Sequence, residues 1–122
     1  MPKVRIHRPV DTETLTSDSQ QAAAIAEDPL RHSLITLYLA TQLLSQGRWA
    51  LDHAREIEIP ILVMYGEDDQ LIDQSVCEHL PIRVGSLATV VRWPHRRHDL
   101  LHDHGKEEVL ANIAAWLRRL GQ

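Results

Sequence analysis

Two stretches of the chain carry the clearest hydrophobic order. Ile59 to Tyr65 is an apolar run broken only by Pro60 and closed by Gly66. A continuous, partly β-branched run of this length suits a strand buried on both faces, as in a parallel sheet. Beyond Gly105, Val109, Leu110, Ile113, Trp116, Leu117 and Leu120 recur at helical spacing, which predicts an amphipathic helix. Between these stretches, Asp73 to Leu80 reads as a short helix and Leu87 to Trp93 as a second strand. Residues 94 to 104 read as a polar loop or helix start. The order strand, helix, strand, helix is that of a parallel α/β sheet.

The first half of the chain is less ordered in pattern. Residues 1 to about 20 are polar, carry Pro2 and Pro9, and predict an extended or poorly ordered lead-in. Ser17, Asp18 or Ser19 is placed to cap a helix running to about Glu27. Asp28-Pro29 breaks it, and Leu34, Leu37, Tyr38, Leu39, Leu43 and Leu44 then predict a helix ending near Gly47. A short helix over Trp49 to Arg55 follows. Two parallel strands are too few for a complete α/β domain, because their faces and edges need neighbours. The expectation is a chain that is part of something larger, or one that pairs with a second copy of itself.

Composition narrows the class. A length of 122 residues allows one domain at most. Hydrophobic content of 43% and charged content of 25% are ordinary globular values, but there is no Phe, so the core rests on Leu, Ile, Val and Trp. A net charge of −4 argues against a nucleic-acid partner, which needs a concentrated basic face. Arg96-Arg97 reads as a solvated pair. The lone Cys77 excludes an intramolecular disulfide and reads as a small buried hydrophobe. Trp93 and Trp116 are expected in the core. No stretch reaches the roughly 20 apolar residues of a membrane span, and no signal-peptide pattern stands at the start. A soluble, cytoplasmic protein is expected.

Two clusters carry candidate chemistry. Gly66-Glu67-Asp68-Asp69 directly follows the apolar strand; Asp and Gly there are also ordinary turn residues. His95, His98, Asp99, His102, Asp103 and His104 follow the second strand. That cluster reads as a catalytic histidine on a loop, as a metal site in which His98 and His102 share a helix face, or as a solvated loop. Taken together the clusters are more specific. An acid after one strand and a histidine after the next is the chain order of a Ser–Asp–His triad on a parallel sheet. In such a triad the acid fixes the imidazole tautomer and stabilises the imidazolium.

The segment Ile57 to Asp73, with Pro60, the run to Tyr65 and Gly66-Glu67-Asp68-Asp69, resembles the acid-bearing strand of monoacylglycerol lipase and lysophospholipase-type serine hydrolases. His98-Asp99-Leu100-Leu101-His102-Asp103 resembles their histidine-bearing segment, with Asp99 where Glu is usual. Lys106 to Leu117 is similar to their closing helix, and Asp28-Pro29-Leu30 with the following helix to the end of their helical lid. Tyr65 stands where the family often has His. The resemblance implies an α/β-hydrolase fold, specifically its C-terminal portion, with 1–56 as the end of a helical lid and 57–122 as hydrolase core. It implies Asp69 as catalytic acid and His98 as catalytic base, with carboxylic esters as substrates and no cofactor. The nucleophile of the family lies on a G-x-S-x-G elbow, which this chain does not contain. Ser17, Ser19, Ser33, Ser45, Ser75 and Ser86 all lie outside such a context. A His–Asp pair without nucleophile or oxyanion hole has little hydrolytic power. The leading expectation is therefore a partial serine hydrolase, from a truncated gene or a split enzyme, inactive alone. A lipid or small ester substrate, and an N-terminal half or a second copy, are the partners expected. A non-catalytic homo-oligomer and a small metal-binding protein are the alternatives.

Overall fold

A computed structural model describes residues 4–121. The chain forms β1 (Arg5–His7), α1 (Thr12–Leu15), α2 (Ser19–Glu27), β2 (Leu34–Thr36), α3 (Leu37–Asp52), β3 (Ile61–Gly66), α4 (Gln74–Val84), β4 (Ala88–Trp93) and α5 (Lys106–Leu120). Single 3₁₀ turns at Ala54–Glu56 and Gly85–Leu87 precede β3 and β4.

The C-terminal unit follows the sequence closely. β3 and β4 pair in parallel, in register from Ile61↔Ala88 to Gly66↔Trp93. Side chains alternate between the faces of a strand, and two bonds show which helix covers which face. Tyr65 donates its hydroxyl proton to Glu78 Oε1 on α4 at 2.9 Å. Thr89 Oγ1, on the other face by the register, accepts from Trp116 Nε1 on α5 at 3.3 Å. The two helices thus sandwich the strand pair, as a parallel sheet requires. Asp73 caps α4 by accepting from Ser75 N at 3.1 Å. α4 runs one turn past the expected end at Leu80, carrying Pro81 inside it. Proline there removes one i→i−4 bond, and Gly85 at φ 74° then stops the helix.

The first half departs from expectation. The segment read as an extended lead-in carries a strand: β1 pairs antiparallel with β2, from Arg5↔Thr36 to His7↔Leu34. Leu34 to Thr36, expected to open a helix, is extended instead. Ile35 and Thr36 are β-branched and fit a strand, and Thr36 accepts from Leu39 N at 3.1 Å, making it the N-cap of α3. α3 also passes through Gly47 to Asp52, merging two expected helices. The cap of α2 is Asp18, which accepts from Gln20 N and Gln21 N.

Burial is concentrated in few residues. Among the described residues the buried apolar side chains are Ala54, Tyr65, Leu100 and Val109. Trp93 and Trp116 are half-buried rather than central. Leu110, Leu117 and Leu120 form an exposed flank on α5, and Leu37, Tyr38, Leu39, Leu43, Leu44 and Trp49 are exposed on α3. The chain exposes 9002 Å², whereas a compact monomer of 13.9 kDa exposes about 6,700 Å² by the usual size scaling. No described helix is long and apolar enough to cross a membrane.

Candidate active site

Asp69 and His98 are brought together at the C-terminal ends of β3 and β4. β3 ends at Gly66, and Asp69 N–H donates back to Gly66 O at 3.2 Å, closing a tight turn. The loop after β4 is tied to that turn by Glu67 N–H donating to Trp93 O at 2.8 Å and Asp68 N–H to Arg96 O at 2.9 Å. Gly66 makes this approach possible. A Cβ there would lie 2.6 Å from Arg96 C and would overlap the carbonyl oxygens of Arg96 and Arg97. The loop turns at His95, whose φ of 56° is unusual for a non-glycine residue.

The carboxylate of Asp69 is almost fully buried, its side chain only 3% exposed. Its two oxygens are spoken for separately. Oδ1 accepts from Leu71 N at 2.8 Å, which fixes the rotamer. Oδ2 lies 2.9 Å from His98 Nδ1. A carboxylate only accepts, so the shared proton sits on Nδ1 and Nε2 is left as the basic nitrogen. The turn is braced by Gln74, whose side-chain amide donates to Glu67 O at 2.8 Å and Asp69 O at 3.0 Å. The His98 side chain is 42% exposed. A buried acid holding a half-exposed imidazole by Nδ1 orients that ring to take a proton at Nε2 from a group on its open side.

The other histidines do not join this pair. His102 Nδ1 lies 3.0 Å from Asp99, and His104 Nδ1 lies 3.9 Å from Asp18. Residues 94–104 form turns rather than a helix, so the shared helix face imagined for His98 and His102 does not form. Among the described residues, no three His, Cys, Asp or Glu side chains converge as a metal site would require.

Sequence reasoning missed two anchors of the histidine loop. Arg97 is not a solvated residue: its guanidinium donates to Glu13 O and, at 3.1 Å, to Thr16 O. Arg96 is mostly covered and lies 3.4 Å from Glu108 on α5. Asp103, seen in the sequence only as part of a motif, is 2% exposed. Burial alone raises its carboxyl, but bonds from Arg97 N, the Ser17 hydroxyl, Ser17 N and His104 N outweigh burial and hold it down at about 2. Tyr65 is shifted upward by burial and by its bond to Glu78. Cys77 is also shifted upward, by burial and then by the charges of Asp69, Asp73 and Glu78. That is the opposite of what a reactive thiolate needs.

A parallel strand pair with an acid after the first strand and a histidine after the second is the C-terminal signature of an α/β-hydrolase. The chain belongs to the family described as serine aminopeptidase, S33, whose model matches residues 1–105. The fold is also that of a monoacylglycerol lipase from Paleococcus ferrophilus, at a TM-score of 0.88 and 22% identity over 95% of this chain and 46% of that one. A soluble variant of the monoglyceride lipase of Saccharomyces cerevisiae, in complex with a substrate analogue, superposes with a TM-score of 0.81 at 20% identity, over 95% of this chain and 44% of that one. In sequence, the chain is 24% identical over 110 residues to the monoacylglycerol lipase of Mycolicibacterium smegmatis, covering 88% of this chain and 39% of the relative. It is 25% identical over 120 residues to an uncharacterized abhydrolase domain-containing protein of Dictyostelium discoideum, covering 97% of this chain and 13% of that protein. The chain thus spans less than half the length of each of these relatives.

Proposed function

We propose that this chain supplies the acid, Asp69, and the base, His98, of a serine carboxylic-ester hydrolase. Residues 1–56 act as the end of its lid and 57–122 as the end of its core. The observation that carries the proposal is the 2.9 Å contact between His98 Nδ1 and the buried Asp69 Oδ2 at the carboxyl ends of adjacent parallel strands. In the reaction, Nε2 of His98 takes the proton of a serine hydroxyl as that oxygen attacks the ester carbonyl. The same nitrogen then returns a proton to the departing alkoxide, and Asp69 stabilises the imidazolium in between. The serine and the oxyanion-hole amides come from sequence outside these 122 residues. The substrates are esters of the monoacylglycerol or lysophospholipid kind. The lipase relatives are named for monoacylglycerols, and the lysophospholipid kind rests on the sequence resemblance alone.

The 122-residue chain alone is inactive on this reading. Turnover of p-nitrophenyl butyrate by the chain alone, abolished by His98→Ala, contradicts that. The positive test is reconstitution. The chain is joined to the serine-bearing N-terminal portion of a lipase relative and assayed on a monoacylglycerol. Hydrolysis that disappears with Asp69→Asn and with His98→Ala supports the assignment. Hydrolysis indifferent to both substitutions refutes it.

The alternative of a non-catalytic self-associating module is favoured by one observation, the large exposed area described above. It makes association through the open strand edges an expectation of either reading. A compact monomer at tens of micromolar in sedimentation would count against both.

A further inference from the structure

We infer that Asp103 is a positioning residue for His98, coupling the base to the segment Leu15–Ser17, where the lid enters the core. The inference rests on the proposed function, which makes His98 the base. His98 makes a single side-chain bond, to Asp69, so its place depends on how the backbone on either side is held. Both neighbours are pinned. Arg97 N–H donates to Asp103 Oδ2 at 2.9 Å. Asp99 N–H donates to Leu15 O at 2.8 Å.

The two oxygens of Asp103 face different parts of the chain. Oδ2 serves the histidine loop. Oδ1 accepts from Ser17 N at 2.9 Å, from the Ser17 hydroxyl and from His104 N at 2.9 Å, with Thr16 Oγ1 lying 3.3 Å away. Thr16 Oγ1 also reaches His102 O at 2.7 Å, and the shorter bond takes its single hydrogen. Thr16 is itself buried, at 1% exposure, and Arg97 closes the circuit by donating to Thr16 O at 3.1 Å. Ser17 and Asp103, 86 positions apart in the chain, are therefore joined by one buried carboxylate. Buried polar networks of this kind are rigid only while every member is satisfied.

The consequence is directional. A displacement of Leu15–Ser17 pulls on Asp103 Oδ1 and on the Leu15 carbonyl together. Those two contacts bracket His98 from both sides. Catalytic groups tolerate misplacement of only about 0.5 Å, so a small movement at the lid entry is enough to loosen the His98–Asp69 bond. Lid position would then set whether the base is engaged.

The test uses the 122-residue chain and a readout indifferent to its state of association. Hydrogen–deuterium exchange with mass spectrometry follows the amides of residues 95–101 and the slow C2–H exchange of the His98 imidazole at one fixed pH. Four variants are compared with the parent: Asp103→Asn, Ser17→Ala, Asp69→Asn and Val109→Ala. Val109→Ala is a control for general loss of stability, since Val109 is fully buried on α5 and its apolar side chain makes none of the network's hydrogen bonds. Asp103→Asn is expected to speed amide exchange over 95–101 about tenfold, as local opening does, and to change the rate of His98 C2–H exchange at one fixed pH. Ser17→Ala should act in the same direction more weakly, and it keeps the question open to test if Asp103→Asn fails to fold. Should Asp103→Asn and Ser17→Ala change His98 no more than Val109→Ala does, while Asp69→Asn shifts it, the positioning role is overturned alone. Should Asp69→Asn leave His98 unmoved, the acid–base pair itself is refuted and the positioning role falls with it.

Discussion

Residues 61–120 and residues 4–56 are built on different terms. In the first region, strands, helices and loops satisfy one another: α4 and α5 cover opposite faces of β3–β4, and the turn after β3 is hydrogen-bonded to the loop after β4. Its buried residues are Tyr65, Gly66, Asp69, Leu100, Asp103 and Val109, among them the acid of the candidate site. In the second region only Thr16 and Ala54 are buried, and each is buried by the other region or beside its edge. Helix α3 carries a row of exposed apolar side chains, with Leu44 at 79% exposure. The two regions are joined at Leu15–Ser17 and again where Arg83 on α4 donates to Leu51 O at 2.9 Å. Chemistry that needs fixed geometry is placed in the first.

The sharpest way to break this contrast is through the pair itself. In the reconstituted hydrolase, Asp69→Asn should lower kcat about 10⁴-fold, because the imidazole loses the partner that sets its tautomer. The fold should survive, since Leu71 N–H can still donate to the side-chain oxygen of Asn. A loss of under tenfold, measured on a folded variant, would show that Asp69 does not orient the base.

Next comes the crossing at Gly66. Gly66→Val should cost more than about 3 kcal/mol, the scale of a severe backbone clash, because its Cβ would collide with backbone carbonyls of Arg96 and Arg97. A matched substitution in the first half, Gly47→Ala, meets nothing within 4 Å. It lies inside α3, so replacing glycine should stabilise by up to about 1 kcal/mol. Urea denaturation at one fixed protein concentration compares the two. Equal midpoints would remove the claim that the regions differ in rigidity.

What the sequence made legible follows the same divide. The run Ile59–Tyr65 and the periodicity from Val109 onward were readable because packing on both faces of a strand imposes a continuous apolar pattern. The closeness of Asp69 and His98 was readable because each lies within a few residues of the end of one of two adjacent strands. The ribbon β1–β2 was not readable, because two three-residue strands, all exposed or half-exposed, need no hydrophobic alternation. Local β-branching at Ile35 and Thr36 was the available signal, masked by the helical spacing of the leucines around it. Arg97 looked solvated because its partners are backbone carbonyls of Glu13 and Thr16, far away in the chain. Main-chain acceptors leave no trace in residue type. Asp103 was visible as a motif position, but its role depends on Ser17 and Thr16, which carry no family pattern.

Acid titration probes the joint between the regions. Asp103 has its carboxyl lowered in the fold to about 2 from an ordinary 3.8. A lowered folded-state value means that the carboxylate stabilises the fold fully above about pH 4, and that this contribution fades as pH falls toward 2. The difference corresponds to about 2 kcal/mol. Asp103→Asn should therefore be less stable at neutral pH and should flatten the acid limb between pH 4 and 2. An unchanged acid limb would place the acid sensitivity elsewhere. At the alkaline end the sign reverses for Tyr65, whose raised value favours the neutral phenol in the fold. That contribution is intact below pH 10 and is lost as pH rises through the folded-state value, and Tyr65→Phe should remove the limb.

The smallest effect expected is on α3, and it bears most directly on the contrast. Leu44 is exposed in the folded chain and touches no buried cluster. Leu44→Ser should change the unfolding free energy by less than about 0.5 kcal/mol, as surface substitutions do, apart from the slightly lower helix propensity of serine. Val109→Ala, by contrast, removes buried methyl groups from a fully covered position and should cost about 1–3 kcal/mol. The same Leu44→Ser change should reduce self-association measured by sedimentation, because it breaks an exposed apolar row on α3. If Leu44→Ser instead cost as much as Val109→Ala, α3 would be packed against something in solution. A concentration dependence of that cost would identify the cover as a second copy of the chain, since stability gained by association scales with protomer concentration.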